Sequence, residues 1–447
     1  MRAVTTSKKL NGTARDERLL EATMQLASAR HARSQFEQSI VDFTLAADAA
    51  ARLEKTEAQI DALCGAALAS GFLKRTGEMR AQALQAMAIA EAKGASSTKA
   101  EGILGYERLF AGDLAAARIL LERARSAVTQ DDALSQAAFV SGSLGFLYDL
   151  QSEYSRADVL FAEALGDRMR LAASCADVLR MIWMRGMTLA NQGRISDALQ
   201  TLHEGMQVGE INGERHWVSR IPNTVGWIYS QILDFETALK YNLQGIVAAQ
   251  QSGQPEVEAN SHLNLSNAYT ALGDLNLACR HLSEGERILS STAGSWLKWR
   301  FSIRLELEKA NYSLATGDLA KARASATLTL TKAQAALARK HIAWAHKLLA
   351  DVELLEGNPA NAATECRTAG EILRLYPCPL IEWKVLLAAS QTALLCGDSD
   401  HAERTLNEAR ESLAVLADSI RDPELRQKFM SCALSTSLDT IGRQRNS

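Results

Sequence analysis

Large apolar, small and turn-type residues fall along this chain in fixed columns, and the set recurs ten times. The turn positions are Ser34, Thr76, Gly112, Ser152, Gly193, Leu233, Gly273, Gly317, Gly357 and Gly397, with Leu233 the one bulky member. Five positions later stand Ser39, Ala81, Ala117, Ala157, Ala198, Ala238, Ala278, Ala322, Ala362 and Ala402. Seven positions before each turn the residue is small, as at Gly105, Gly145, Gly186 and Gly226, and twelve after it nine of ten are Ala or Gly. Large residues fill the complementary columns: Leu104, Leu144, Leu265 and Leu349 before the turn, and Phe161, Leu202, Leu282 and Leu406 after it. Knobs and holes at these spacings predict a unit of helix, tight turn, helix. Gly-Asp at 112, 273, 317 and 397, with Gly357-Asn358 close to it, predicts a left-handed cap ending one helix and a side-chain cap opening the next. From Ser152 onward the turns are spaced by 41, 40, 40, 44, 40 and 40 residues. A period of that length marks an array in which no unit buries its own apolar face.

Composition agrees with helix throughout. Hydrophobic residues make up 47%, aromatics only 6%, and there are six prolines in 447 residues, so essentially no sheet is expected. The 49 basic and 52 acidic residues leave a formal net charge of −3, and basic residues cluster only as pairs such as Lys8-Lys9 and Arg339-Lys340. Direct nucleic-acid binding, which needs a concentrated basic face, is therefore not expected. Seven cysteines stand singly at 64, 175, 279, 366, 378, 396 and 432, which reads as reduced, mostly buried thiols of a cytoplasmic protein. The polar stretch Met1 to Arg15 has no apolar run of signal-peptide length, and no segment reaches eighteen uninterrupted apolar residues, so no membrane span is expected.

Ten units in register resemble the tetratricopeptide repeat, over roughly residues 16–415. The period exceeds that of the standard repeat and is similar to the longer-armed arrays C-terminal in bacterial signal-transduction ATPases, adenylate cyclases and maltose-regulator-type activators. The resemblance implies an all-α, right-handed superhelical solenoid of about ten antiparallel hairpins. A flexible segment (1–15) would precede the array, and a capping helix and tail (416–447), with the capping role in the stretch Ile420–Phe429, would follow it. The nucleotide loop of such multidomain regulators is missing: Gly71 and Gly77 are misspaced and Glu78 follows. Their catalytic and DNA-binding duties are not carried over.

No catalytic, cofactor or metal set emerges. His341 and His346 are five apart, which puts their rings on different helix faces, and the other histidines lie scattered without a matching partner. Gly-x-Ser-x-Gly is absent, and Glu306 and Glu308 read as solvated helix surface. In repeats of this type the first helix lines the concave groove. There stand Arg180, Trp183 and Met187; Arg220, Asn223 and Trp227; Asn260, Asn264 and Asn267; and Arg304 and Asn311. Asn is costly in a helix but pairs well with an extended peptide backbone, and Arg and Trp dominate interface energetics. The competing reading is that the tryptophans pack between helices while the asparagines cap or face water. Pro222 sets a helix start near Ser219–Ile221, leaving Trp217 as a rim contact or as a lock between repeats. The expected function is a non-catalytic scaffold or sensor that binds a protein or peptide in its concave groove. The alternative is a regulator responsive to a ligand or signalling peptide, such as the detached repeat part of a larger signalling ATPase or cyclase.

Overall fold

A computed structural model describes residues 12–33, 35–128, 134–166, 175–291 and 297–433. Within them the chain is a succession of helical hairpins without a strand. The hairpins are α1 (Thr13–Ala32) with α2 (Phe36–Arg52), α3 (Thr56–Phe72) with α4 (Thr76–Lys93), α5 (Thr98–Ala111) with α6 (Leu114–Ala127), and α7 (Leu134–Leu150) with α8 (Tyr154–Ala164). Next come α9 (Cys175–Asn191) with α10 (Ile195–Asn212), α11 (Ile221–Gln231) with α12 (Phe235–Gln251), and α13 (Pro255–Ala271) with α14 (Leu275–Ser291). The last are α15 (Lys298–Thr316) with α16 (Leu319–Ala335), α17 (Arg339–Leu355) with α18 (Pro359–Leu375), and α19 (Pro379–Leu395) with α20 (Ser399–Asp418). A further helical run covers 423–433.

The turns are built as their residues dictate. Gly112, Gly193, Gly273, Gly317, Gly357 and Gly397 take left-handed φ between 78° and 94°, and Ser152 and Leu233 take 67° and 62° without glycine's freedom. Asp113, Asp274, Asp318 and Asp398 each accept a hydrogen bond from the amide three residues on. Asn358 makes no such cap. In the second hairpin the sequence register is two residues out. Thr76 opens α4, and the left-handed residue is Lys74 (φ 63°), so the packed positions there are Met79 and Ala86. Ser34 lies outside the described residues, as do 1–11 of the segment expected to be flexible, whereas Thr13–Arg15 already belong to α1. The small columns are holes. A Cβ added to Gly186 would lie 2.6 Å from Leu202 Cγ, and one added to Gly145 3.1 Å from Phe161.

The chain divides into two compact units. The first comprises Met1–Leu147, Leu160–Val178 and Gly294–Leu297; the second comprises Tyr148–Val159, Leu179–Ala293 and Lys298–Ser447. In the first unit α1 to α6 pack mainly on their chain neighbours, with α3 also on α5. Its ring cluster places Phe36 flat on Phe72 (centroids 4.6 Å apart) with His31 edge-on to both. Burial holds the His31 imidazole below its ordinary pKa.

In the second unit each first helix packs on its own second helix and on the next first helix, from α11 through α19. This unit also meets itself along a seam. Hairpin turns receive helix starts that lie 188 residues further along: Arg339 Nη1 donates to the Gln151 carbonyl at 2.8 Å, and the Lys340 amide to Ser152 Oγ at 2.9 Å. One repeat on, Gly193 faces Pro379 and Leu416. There the Ser196 amide donates to the Ser419 carbonyl at 3.3 Å, and Arg421 pairs with Asp197. One repeat further, Lys428 Nζ lies 2.7 Å from Asp234 Oδ1. Ile420 and Phe429 are fully buried. The residues expected to cap the array thus reach back to the turns of α10 and α12; 434–447 lie outside the described residues.

Three of the seven cysteines are buried (64, 366 and 378), while 175 and 432 are half-buried and 279 and 396 are exposed. The expectation of mostly buried thiols is corrected accordingly. Among the described residues no helix is long and apolar enough to cross a membrane.

Candidate functional site

The site is built from the first helices of the second unit. Residues at equivalent places on α9, α11, α13, α15 and α17 face one another because each hairpin repeats the geometry of the last. They surround a cavity of about 40 Å³, lined by Asp149, Met187, Asn191, Trp227, Asn260, Trp299, Arg300, Arg304, Lys340 and His341 among others. A second cavity, about 20 Å³, shares Trp227, Arg304, Lys340 and His341 with it and adds Gln231, Asn264, Asn267, Glu308 and Trp344. At ~10–15 Å³ of such space per water the larger one has room for about three waters.

The eleven sequence candidates divide into two groups. Met187, Trp227, Asn260, Asn264, Asn267 and Arg304 line the two cavities. Arg180, Trp183, Arg220, Asn223 and Asn311 do not, and four of these are locked into the packing. Arg180 is fully buried. Trp183 Nε1 donates to Thr224 Oγ1 at 2.8 Å. Arg220 pairs with Glu256 at 3.0 Å, the two side chains being 4% and 0% exposed, and its guanidinium lies over the Trp183 and Trp217 rings. Asn223 Nδ2 donates to the Val257 carbonyl, and Asn264 Nδ2 donates both to the Asn223 carbonyl and to Asn242 Oδ1, at 3.2, 3.0 and 2.8 Å. Asparagine, costly in a helix, here ties α11 to α13 through backbone carbonyls of both helices. The fifth, Asn311, donates to Glu308 Oε2 at 3.1 Å.

Three further expectations are corrected. Trp217 is no rim residue: it is fully buried, in the turn that Glu214 caps by accepting from the amides of His216, Trp217 and Val218. Glu306 and Glu308 are not solvated surface but buried, because α15 is enclosed by neighbours on both sides. Nor are the remaining histidines all partnerless. His262 Nδ1 and His281 Nδ1 lie 2.9 Å apart across the α13–α14 hairpin, and Tyr269 stacks on His281. His341 and His346 are indeed separate: His341 lines both cavities, while His346 Nδ1 meets Glu365 at 2.6 Å.

Sequence reasoning missed Asp149, Trp299, Arg300 and Lys340. Arg300 and Lys340 occupy one column, seventeen positions before Gly317 and Gly357; extending the column reading one turn further would have found them. Asp149 Oδ1 accepts from Thr188 Oγ1 at 2.9 Å and Asn191 Nδ2 at 3.4 Å, and burial raises its pKa. Lys340 Nζ donates to Asn191 Oδ1 at 2.9 Å and sits 5.1 Å from the Trp227 ring centre. Burial pulls Lys340 down to about 8 and Arg300 to about 10, and it drives His341 well below its usual value, with the neighbouring cations adding to the effect. Among the described residues no group of three or more His, Cys, Asp or Glu side chains is placed to hold a metal ion.

These features define a tetratricopeptide-like helical-repeat protein. Among solved structures, the chain is similar to a Rap protein complexed with competence and sporulation factor, at 12% identity and a TM-score of 0.53, over 92% of this chain and 100% of that one. It is also similar to the Rap conjugation gene regulator of plasmid pLS20 in complex with the Phr* peptide, at 12% identity and a TM-score of 0.53, over 80% and 96% of the two chains. No family model and no curated protein matches it.

Proposed function

We propose that this chain is a peptide-responsive regulator without catalysis, which takes a short extended segment along the inner face of its second unit. The observation that carries the reading is the convergence of Trp227, Asn260, Asn267, Arg304 and Lys340 from four successive first helices onto two joined cavities. Their chemistry suits a peptide. Asn260 Oδ1 and Gln231 Oε1 are buried without a hydrogen-bond partner among the described residues, so each is an acceptor for a backbone N–H. Trp227 offers a ring face beside them. The shared fold with a protein whose structure is in complex with the Phr* peptide supports the same reading. The cavity volume adds a condition: the segment enters only after the seam loosens, so binding and a change of superhelical pitch are coupled.

A displayed library of short random peptides, selected on the purified chain, tests this. Enriched sequences should bind the wild type and lose about tenfold or more in affinity on Trp227→Ala or Asn260→Ala, as truncated interface anchors do, with helicity intact. Enrichment that both variants retain at full affinity would overturn the reading.

A further inference from the structure

His262 on α13 and His281 on α14 meet across their hairpin, away from the two cavities, with their Nδ1 atoms 2.9 Å apart. Packing alone does not call for this pair. One repeat earlier the same two columns hold Pro222 and Tyr241. There Tyr241 stacks on Tyr229 (centroids 5.7 Å apart, 9° between planes) much as His281 stacks on Tyr269 (5.5 Å, 3°). A tyrosine serves the stack, so the two imidazoles bring ring nitrogens that the stack does not use.

Those nitrogens have the spacing of metal ligands. Two metal–nitrogen bonds of about 2.0–2.1 Å that meet at a right angle span about 2.9 Å, which is the separation of adjacent corners in a square-planar or octahedral sphere. In the pair as it stands, one Nδ1 donates a proton to the other. When the donor ring shifts that proton to Nε2 by way of solvent, both Nδ1 lone pairs are free and no net proton is released. Binding then requires the lone pairs to swing from each other toward a common point, a rotation of side chains and not of helices. Both rings are half-buried and so within reach of solvent. Burial holds both below their ordinary pKa, against the pull of Glu284 on His262 and with the neighbouring ring and Arg280 adding to the effect on His281. Arg287 engages the Glu284 carboxylate at 2.8 and 2.5 Å, which leaves water for the remaining corners. A neutral imidazole pair at a right angle suits Cu(II) or Ni(II) rather than Mg(II) or Ca(II).

We propose that His262 and His281 form a two-imidazole site for a divalent transition-metal ion, Cu(II) or Ni(II), which clips α13 to α14 with solvent completing its coordination. The site does not depend on the peptide reading.

The test uses the full chain, stripped of metal with a chelator and titrated with Cu(II) or Ni(II) chloride alone in a calorimeter. The wild type should take up one equivalent with micromolar affinity, as suits two protein ligands. Its Cu(II) complex should show the hyperfine pattern of two nitrogen ligands by electron paramagnetic resonance. His281→Tyr keeps the stack, on the precedent of Tyr241, and should weaken binding by about tenfold or more, the least that loss of a group supporting a bound metal costs. The two-nitrogen pattern should vanish with it. His262→Gln should do the same and provides the reading if His281→Tyr does not fold, whereas His203→Ala and His401→Ala should bind as the wild type does. Metal should also raise the thermal midpoint of the wild type but not of His281→Tyr. Affinity that both pair variants retain means adventitious binding at other histidines and overturns the site. Absence of binding, or a single-nitrogen pattern in the wild type, overturns it as well.

Discussion

The seam that closes the second unit should govern access to its cavities, and the C-terminal contacts are its most separable part. Arg421 and Lys428 reach from beyond α20 to Asp197 and Asp234. The two pairs differ in worth. Arg421 is 67% exposed, so its pair contributes about 0.2–1 kcal/mol. Asp234 is 8% exposed and Lys428 43%; Asp234 also caps α12 through the Thr237 amide, and a charged hydrogen bond to such a group is worth about 1.5–3 kcal/mol. Exposure of Lys428 trims that toward the lower end. Replacing both cations by Ala should therefore lower stability by about 2 kcal/mol, seen as a shift of the urea midpoint. Ile420 and Phe429 stay buried and hold the tail near its place at about 1.5–3 kcal/mol each, so the fold survives. What should change is the interior. Amide hydrogen exchange of the segment 339–344, whose first residues bond to Gln151 and Ser152, should accelerate well beyond the global loss of stability, and selected peptides should bind faster. If exchange in 339–344 rises only in step with global unfolding while binding is unaltered, the tail is a passive cap and the argument fails.

Two further outcomes follow from the buried polar pairs. Arg220→Ala should cost about 3–5 kcal/mol in chemical denaturation, because it removes the cation paired with Glu256, whose side chain is 0% exposed; Arg220→Met with Glu256→Met should recover most of that loss, and a single-variant cost below 1 kcal/mol would contradict the buried-pair account. For the His262–His281 pair, burial and then the neighbouring ring lower His281 to about 4, and His262 is lowered as well. Between about 4 and 6.5 the unfolded chain binds the proton that the folded chain refuses, so stability present at neutral pH is lost as pH falls through that window. Discounted for the partial exposure of the ring, the loss is about 1–2 kcal/mol. Urea midpoints at pH 7 and pH 5 should show it, and His281→Gln should flatten the difference; equal slopes in variant and wild type would count against it.

Sequence alone determined the unit. A left-handed turn residue, an Asp cap and small columns at helical spacing are rules obeyed within a few residues, so hairpin after hairpin was legible, including Leu233 in a glycine's place. The second hairpin was misread because Thr76 imitates a turn while opening a helix. Tertiary structure decided what those units enclose. Each hairpin turns slightly on the last, and only the sum brings residue 340 against residue 152. Stacking on the adjacent repeats puts Arg220 and Asn223 into the packing and takes Glu306 and Glu308 out of water, while the closure sets Arg300 and Lys340 in the wall of a cavity. A side chain's column follows from a period of 3.6, whereas its neighbours across the seam follow from curvature accumulated over 188 residues, which no single position encodes.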